Sequence, residues 1–190
     1  MTGDNRYPDS RYIVLLRGIN VGGHNKVPMA ELRTALSERG FADVSTYIAS
    51  GNVLLDAGER AETDVVDEVA AVVTEQFGLT IPIVARSATD WPAVLAANPF
   101  PGAEAEPKFL HVSLCDRAPD AAAIAAFDSD TYLPDRVGVV GRELYLWYPN
   151  GSGRSKLTGA VLERKLGVTT TARNWSTMLK LGELSRSTET

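Results

Sequence analysis

Apolar positions along the chain fall into two kinds of run. Residues 11–16 and 52–55 are short and nearly unbroken, the length and density of strands. Others recur at helical spacing: Met29, Leu32 and Leu36 behind Pro28, and Val66, Val69, Val73 and Phe77 in a helix starting near Thr63. Three of the predicted helices close on a glycine followed by an apolar residue, Gly40-Phe41, Gly78-Leu79 and Gly167-Val168, the pattern of a left-handed cap. Strands at 44–49 and 81–86, with Ser50-Gly51 as a tight hairpin turn, complete a β-α-β-β-α-β order in the first half.

A short helix at 89–97 leads into residues 98–107, where three prolines and a glycine mark a boundary. Beyond it the pattern restarts. A strand at 109–115 is followed by an alanine-rich helix at 118–127, then a hairpin of 137–140 and 143–148 around Gly141-Arg142. A helix at 156–166, a strand at 169–172 and a last helix at 175–184 follow, and residues 1–10 and 185–190 are polar flanks. The two halves share an ending: Gly78-Leu79-Thr80 leads to Ala85-Arg86-Ser87 and Trp91, and Gly167-Val168-Thr169 leads to Ala172-Arg173-Asn174 and Trp175. The expected fold is therefore α+β, two ferredoxin-like (alpha-beta plait) subdomains from an internal duplication. Residues 1–98 form the first, 99–107 a linker and 108–190 the second.

Composition narrows the classes. Hydrophobic content of 44% and charged content of 23% are ordinary for a globular chain, and 190 residues can bury a core. A net charge of -5 argues against coating long duplex, which favours a basic face. The single cysteine, Cys115, excludes an intrachain disulfide and any multi-thiolate metal site. No run approaches the ~20 apolar residues of a membrane span, and no signal-peptide pattern opens the chain. A cytoplasmic location without membrane attachment is the expectation, with the oligomeric state open.

Candidate chemistry sits where strands end. Residues 17–28 carry Arg17, Gly18, Asn20, Gly22, Gly23, His24, Asn25 and Lys26 between a strand and a helix, and antiparallel pairing would set this loop beside Ser50, Gly51 and Asn52. It lacks both the Gly-Lys-Ser/Thr ending of a P-loop and a Gly-x-Gly-x-x-Gly fingerprint. The second candidate, 150–156, holds Arg154 and Lys156 ahead of a helix that Ser155 could cap, with Arg173 and Asn174 expected at the same sheet edge. Tyr145 and Trp147 alternate on one strand, where they could stack bases or be buried. His111 and Cys115 lie ~13 Å apart at ~3.3 Å per residue, too far for a nucleophile–base pair. Neither loop holds paired carboxylates, which argues against two-metal hydrolysis and glycosidase chemistry.

Four motifs carry a resemblance. Leu15-Leu16-Arg17-Gly18-Ile19-Asn20-Val21-Gly22-Gly23 with Val27-Pro28-Met29, Tyr47-Ile48-Ala49-Ser50-Gly51-Asn52-Val53, Gly153-Arg154-Ser155-Lys156-Leu157, and Thr171-Ala172-Arg173-Asn174-Trp175 stand in order along the chain. Together they resemble the bacterial domain of unknown function 1697 family over residues 11–182. One departure is Ala172, which separates Thr171 from Arg173. The resemblance implies a cytoplasmic bacterial protein of two plait-like subdomains, and brings no activity, catalytic residue or cofactor with it.

The leading expectation is a protein binding a small phosphate- or carboxylate-bearing molecule at loops between the subdomains. Arg17, Lys26, Arg154, Lys156 and Arg173 would supply charge, Asn20, Asn52 and Asn174 would orient the ligand, and Gly18, Gly22 and Gly23 would allow close approach. No metal and no particular cofactor is assigned, and catalysis stays open. The alternatives are single-stranded nucleic-acid binding through the same cations with Tyr145 and Trp147, and a structural or protein-interaction module whose motif residues bond internally.

Overall fold

The computed structural model describes residues 10–186; of the polar flanks read at 1–10 and 185–190, residues 1–9 and 187–190 lie outside them. The architecture is mixed α+β, with six α-helices and two four-stranded antiparallel sheets among the described residues. The chain divides into two compact units, residues 10–92 with 181–186, and residues 93–180. It passes from one to the other within α3 (Trp91–Ala96) and back within α6 (Trp175–Arg186).

In the first unit β1 (Arg11–Leu16), α1 (Met29–Glu38), β2 (Ala42–Tyr47), β3 (Asn52–Asp56), α2 (Glu62–Phe77) and β4 (Ile83–Ser87) follow one another, and the sheet order is β2-β3-β1-β4. β1 is thus inner, pairing with β3 through Leu15↔Asn52 and with β4 through Leu15↔Val84. Alternation sends Val14, Leu16, Val53 and Leu55 into one core with Leu32 and Leu36 of α1 and Val65, Val69 and Val73 of α2. The α2 stripe therefore runs through Val65 and Val72, both buried, whereas Val66 is only partly so. The opposite face of the sheet, Ile13, Leu15 and Leu54, is equally buried, which explains why these strands read as unbroken apolar runs.

In the second unit β5 (Leu110–Cys115), α4 (Ala121–Ala126), β6 (Arg136–Val140), β7 (Glu143–Trp147), α5 (Gly159–Leu166) and β8 (Thr170–Asn174) give the sheet order β6-β7-β5-β8. Its helix-side core joins Cys115, Leu144, Leu146, Leu157, Leu162 and Leu166. The proline-rich stretch read as a linker packs inside this unit. Pro99 crosses Gly138, where an added Cβ would come within 2.5 Å of the proline ring, and Phe100 lies 6.2 Å from the Trp147 ring.

Three local readings need correction. The segment 47–49 leaves the ladder after Tyr47, so residues 48–51 form a four-residue turn instead of a two-residue hairpin at Ser50-Gly51. The helix expected from Lys156 begins at Gly159, capped by the Thr158 hydroxyl, which accepts from Val161 N–H at 3.3 Å. The alanine-rich helix is the six residues of α4, because Pro119 and Asp120 hold the chain extended before it.

Gly51 is the most closely approached glycine of the first unit among the described residues. Its φ is +85°, Leu16 N–H donates to its carbonyl at 2.8 Å, and a Cβ there would sit 2.7 Å from the Leu16 carbonyl oxygen. Gly23 shares a positive φ of +80° but faces open space. In urea titrations Gly51→Ala should therefore lower stability by ~2–4 kcal/mol, combining left-handed strain with a backbone clash, and Gly23→Ala by ~1–2 kcal/mol from strain alone. Equal losses would contradict the close approach.

Candidate functional site

The glycine-rich loop of the first unit is a miniature hairpin. Gly22 and Gly23 have φ of +58° and +80°, His24 N–H donates to Val21 O at 3.0 Å, and Val21 bridges His24 in antiparallel fashion. Two consecutive positive φ values define a type I′ turn, so turn geometry is what demands these glycines. At Gly18 and Gly23 no neighbour would crowd a Cβ.

The asparagines of this loop are engaged internally. Asn20 Nδ2 donates to Val27 O at 2.9 Å and to Ala49 O at 2.8 Å, while its Oδ1 accepts from Val27 N–H at 2.9 Å. Asn25 Nδ2 donates to Gly18 O at 3.0 Å. Asn52 is fully buried and donates to Tyr47 O at 3.0 Å and Ser50 Oγ at 3.1 Å. The expected adjacency of this loop to the 48–51 turn is therefore present, but Asn20 fastens loop to turn and Asn52 bonds within the turn. Arg17 N–H closes the ladder by donating to Pro82 O at 3.0 Å, and Lys26 is exposed.

The loop from β7 to α5 in the second unit is built differently. Gly151 adopts φ +83° and ψ 148°, a region open essentially to glycine alone, and donates its N–H to Tyr148 O at 2.9 Å. One turn of 3-10 helix, Ser152–Arg154, follows. Ser155 does not cap the helix, which starts four residues later. Its hydroxyl donates to Asp135 Oδ2 at 2.6 Å and accepts from Leu157 N–H at 2.9 Å. Beneath it the Tyr148 hydroxyl donates to Leu157 O at 2.9 Å; burial first, and the Asp135 charge second, push that phenol up to about 12. The backbone of this loop is consequently fixed at both ends and in the middle.

This fixed loop forms one wall of a cleft of about 410 Å³. Asn150, Gly151 and residues 154–156 line one side, and residues 131–135 the other. Arg154 and Lys156 are exposed, and neither has a hydrogen bond or ion pair to any described residue. The loop at the corresponding place in the first unit, between β3 and α2, offers a contrast. There Arg60 pairs with Glu68 at 3.1 Å, donates to Ala57 O at 3.1 Å and lies 4.6 Å from the centre of the Phe41 ring.

Arg173 and Asn174 end β8 at the edge of the sheet where β7 also ends, yet they do not line the cleft, because β5 separates the two strands. Arg173 Nη1 donates to Ala172 O at 2.8 Å, and burial lowers its pKa to about 10, so it stays protonated at neutral pH. Asn174 Oδ1 accepts from Thr177 N–H at 2.9 Å and so caps α6. Of the eleven residues expected to bind a ligand, Arg154 and Lys156 thus meet in one cleft. Asp135, Tyr132 and Leu133 on the facing wall were not singled out from the sequence; Pro134-Asp135 marks a turn and nothing more. Among the described residues no three His, Cys, Asp or Glu side chains gather to hold a metal, and no helix is long and apolar enough to cross a membrane.

With this geometry in place, comparison with known proteins bears on ancestry. The sequence model of the family described as "Protein of unknown function (DUF1697)" matches residues 10–145. The chain belongs to the DUF1697 family. The match spans the miniature hairpin and stops within β7, so the motifs at 153–157 and 171–175 lie beyond it. No curated protein matches the sequence. A conserved bacterial protein, SP0830 from Streptococcus pneumoniae, is similar in structure, with a TM-score of 0.68 and 22% identity over 93% of this chain and 98% of that one. That likeness shows a shared fold between this DUF1697 chain and the streptococcal protein.

His111, on β5, gives a pH test of the second unit. Its Nδ1 is enclosed without a hydrogen-bond partner among the described residues, and its ring meets Tyr148 edge-on at 5.4 Å. Burial lowers its pKa, the Phe109 backbone opposing more weakly. The unfolded chain therefore binds the extra proton first, and stability falls as pH drops below the usual ~6.5. Melting temperatures stepped from pH 7 to 5 should drop less for His111→Gln than for the wild type; parallel curves would contradict the assignment.

Proposed function

We propose that this protein binds a small molecule bearing a phosphate or carboxylate group in the cleft formed by residues 131–135 and 150–156. Arg154 and Lys156 supply the charge. The observation that carries this reading is the contrast between equivalent loops: Arg60 is neutralised by its surroundings, whereas Arg154 and Lys156 stand without partners among the described residues, on a backbone already held in place. A fixed loop loses little entropy on binding, and exposed cations on it attract anions without first breaking internal pairs. The cleft volume of about 410 Å³ lies in the range of small-molecule sites, ~300–1,000 Å³.

The same reading takes the two units as copies of one ferredoxin-like plait. The sheet orders correspond strand for strand. Register corresponds too: Ile13 faces Arg86 and Val112 faces Arg173, and each arginine donates Nη1 to the preceding alanine carbonyl, at 2.7 and 2.8 Å. In this view the glycine-rich hairpin is structural, and the second copy keeps a ligand loop. A cytoplasmic setting agrees with the lone buried cysteine. Nucleic-acid stacking gains no support, since Tyr145 is fully buried with its hydroxyl donating to Val94 O at 2.5 Å.

Calorimetric titration with inorganic phosphate at low salt tests the proposal. The double change Arg154→Ala, Lys156→Ala should weaken binding at least tenfold, ~1.4 kcal/mol or more, and Lys165→Ala on α5 should leave it within twofold. Equal losses from both variants, or no binding by the wild type, would overturn it.

A further inference from the structure

The cleft also holds an acid. Asp135 is only 9% exposed and, in the 131–135 segment, lines the cleft together with Arg154 and Lys156. One carboxylate oxygen, Oδ2, accepts the Ser155 hydroxyl at 2.6 Å; the other takes no hydrogen bond from any described residue. Among the described residues the polar side-chain atoms sealed off without a partner are His111 Nδ1 and Thr171 Oγ1, so Oδ1 of this cleft-lining residue is not sealed off. A buried carboxylate is costly unless its lone pairs are used, and an open one in a cleft is an acceptor awaiting a donor.

We propose, resting on the anion site just described, that the ligand is the phosphate ester of a polyol, with the phosphate on Arg154 and Lys156 and a sugar hydroxyl donating to Asp135 Oδ1. A ligand that is negative and nothing else would gain from the two cations and lose to the carboxylate. A molecule with a phosphate at one end and hydroxyls at the other satisfies both walls. Hydroxyl donation to a carboxylate is a charge-assisted bond, so a site built around it discriminates strongly against analogues lacking the hydroxyl. A phosphate of nearly two negative charges also suits one guanidinium and one ammonium group together better than a carboxylate does. The exposed Leu133, 61% accessible, and Tyr132 beside it give the same wall an apolar surface for the carbon skeleton.

The full chain is titrated with three probes, inorganic phosphate, ethyl phosphate and ribose 5-phosphate, in wild type and Asp135→Asn. Wild type should bind ribose 5-phosphate at least tenfold more tightly than either of the others. Asp135→Asn should shrink that preference below threefold and at the same time strengthen binding of inorganic phosphate, because a negative charge has been removed. A purely structural role for Asp135 would weaken all three probes together. Ethyl phosphate binding as tightly as ribose 5-phosphate, or a sugar preference that survives Asp135→Asn, overturns the polyol assignment while leaving the anion site intact. No binding of any probe overturns both. Should Asp135→Asn not fold, the ranking of the three probes on wild type still decides.

Discussion

A strand hydrogen-bonded along both edges has no freedom to slide, and each unit is built around one. β1 lies between β3 and β4, and β5 between β7 and β8. Their ladders close in the same manner. Leu16 N–H donates to Gly51 O and Arg17 N–H to Pro82 O in the first unit; Cys115 N–H donates to Arg142 O and Asp116 N–H to Thr169 O in the second. At the other end Ala57 N–H reaches Ser10 O, and Tyr148 N–H reaches Phe109 O. Because buried backbone groups must be paired, these bonds dictate where each chain leaves its sheet. Loop positions are therefore inherited from the pairing, and loop sequences decide what each position does.

Those decisions diverge between the units. At the end of the inner strand the first unit inserts a Gly-Gly hairpin held by Asn20, and the second turns through Asp116, whose Oδ1 accepts Thr169 N–H at 2.8 Å. After the third strand the roles reverse: the first unit packs its loop cation against Glu68 and Phe41, and the second leaves two cations beside an incompletely bonded acid. Exposed Ile48, with φ +49°, shows that even the first unit stores strain in its turn. The Asn20 amide explains how that strain is held, since it bonds the neighbouring Ala49 carbonyl.

Much of the strand and helix order was legible because burial on both faces leaves an unmistakable apolar run and glycine caps punctuate helices. The helix ends at Gly78 and Gly167, with φ of +66° and +68°, follow directly from that chemistry. Side-chain roles were harder to see. Asn20 and Asn52 have the same composition whether they bind a ligand or clasp a turn, and only the carbonyls around them distinguish the two. Ser155 looked like a helix cap because no sequence rule shows Asp135, twenty positions earlier, waiting for its hydroxyl. Asp135 itself was hidden for the same reason: its partners come from a different loop.

The central claim, that the second unit's cleft takes the anion while the asparagines of the glycine-rich hairpin bond internally, is tested most directly by amide chemical-shift mapping. On adding inorganic phosphate to the labelled full chain, the account predicts saturable shifts confined to residues 131–135 and 150–157. Saturable shifts centred on residues 18–26, with the cleft amides unmoved, would contradict it.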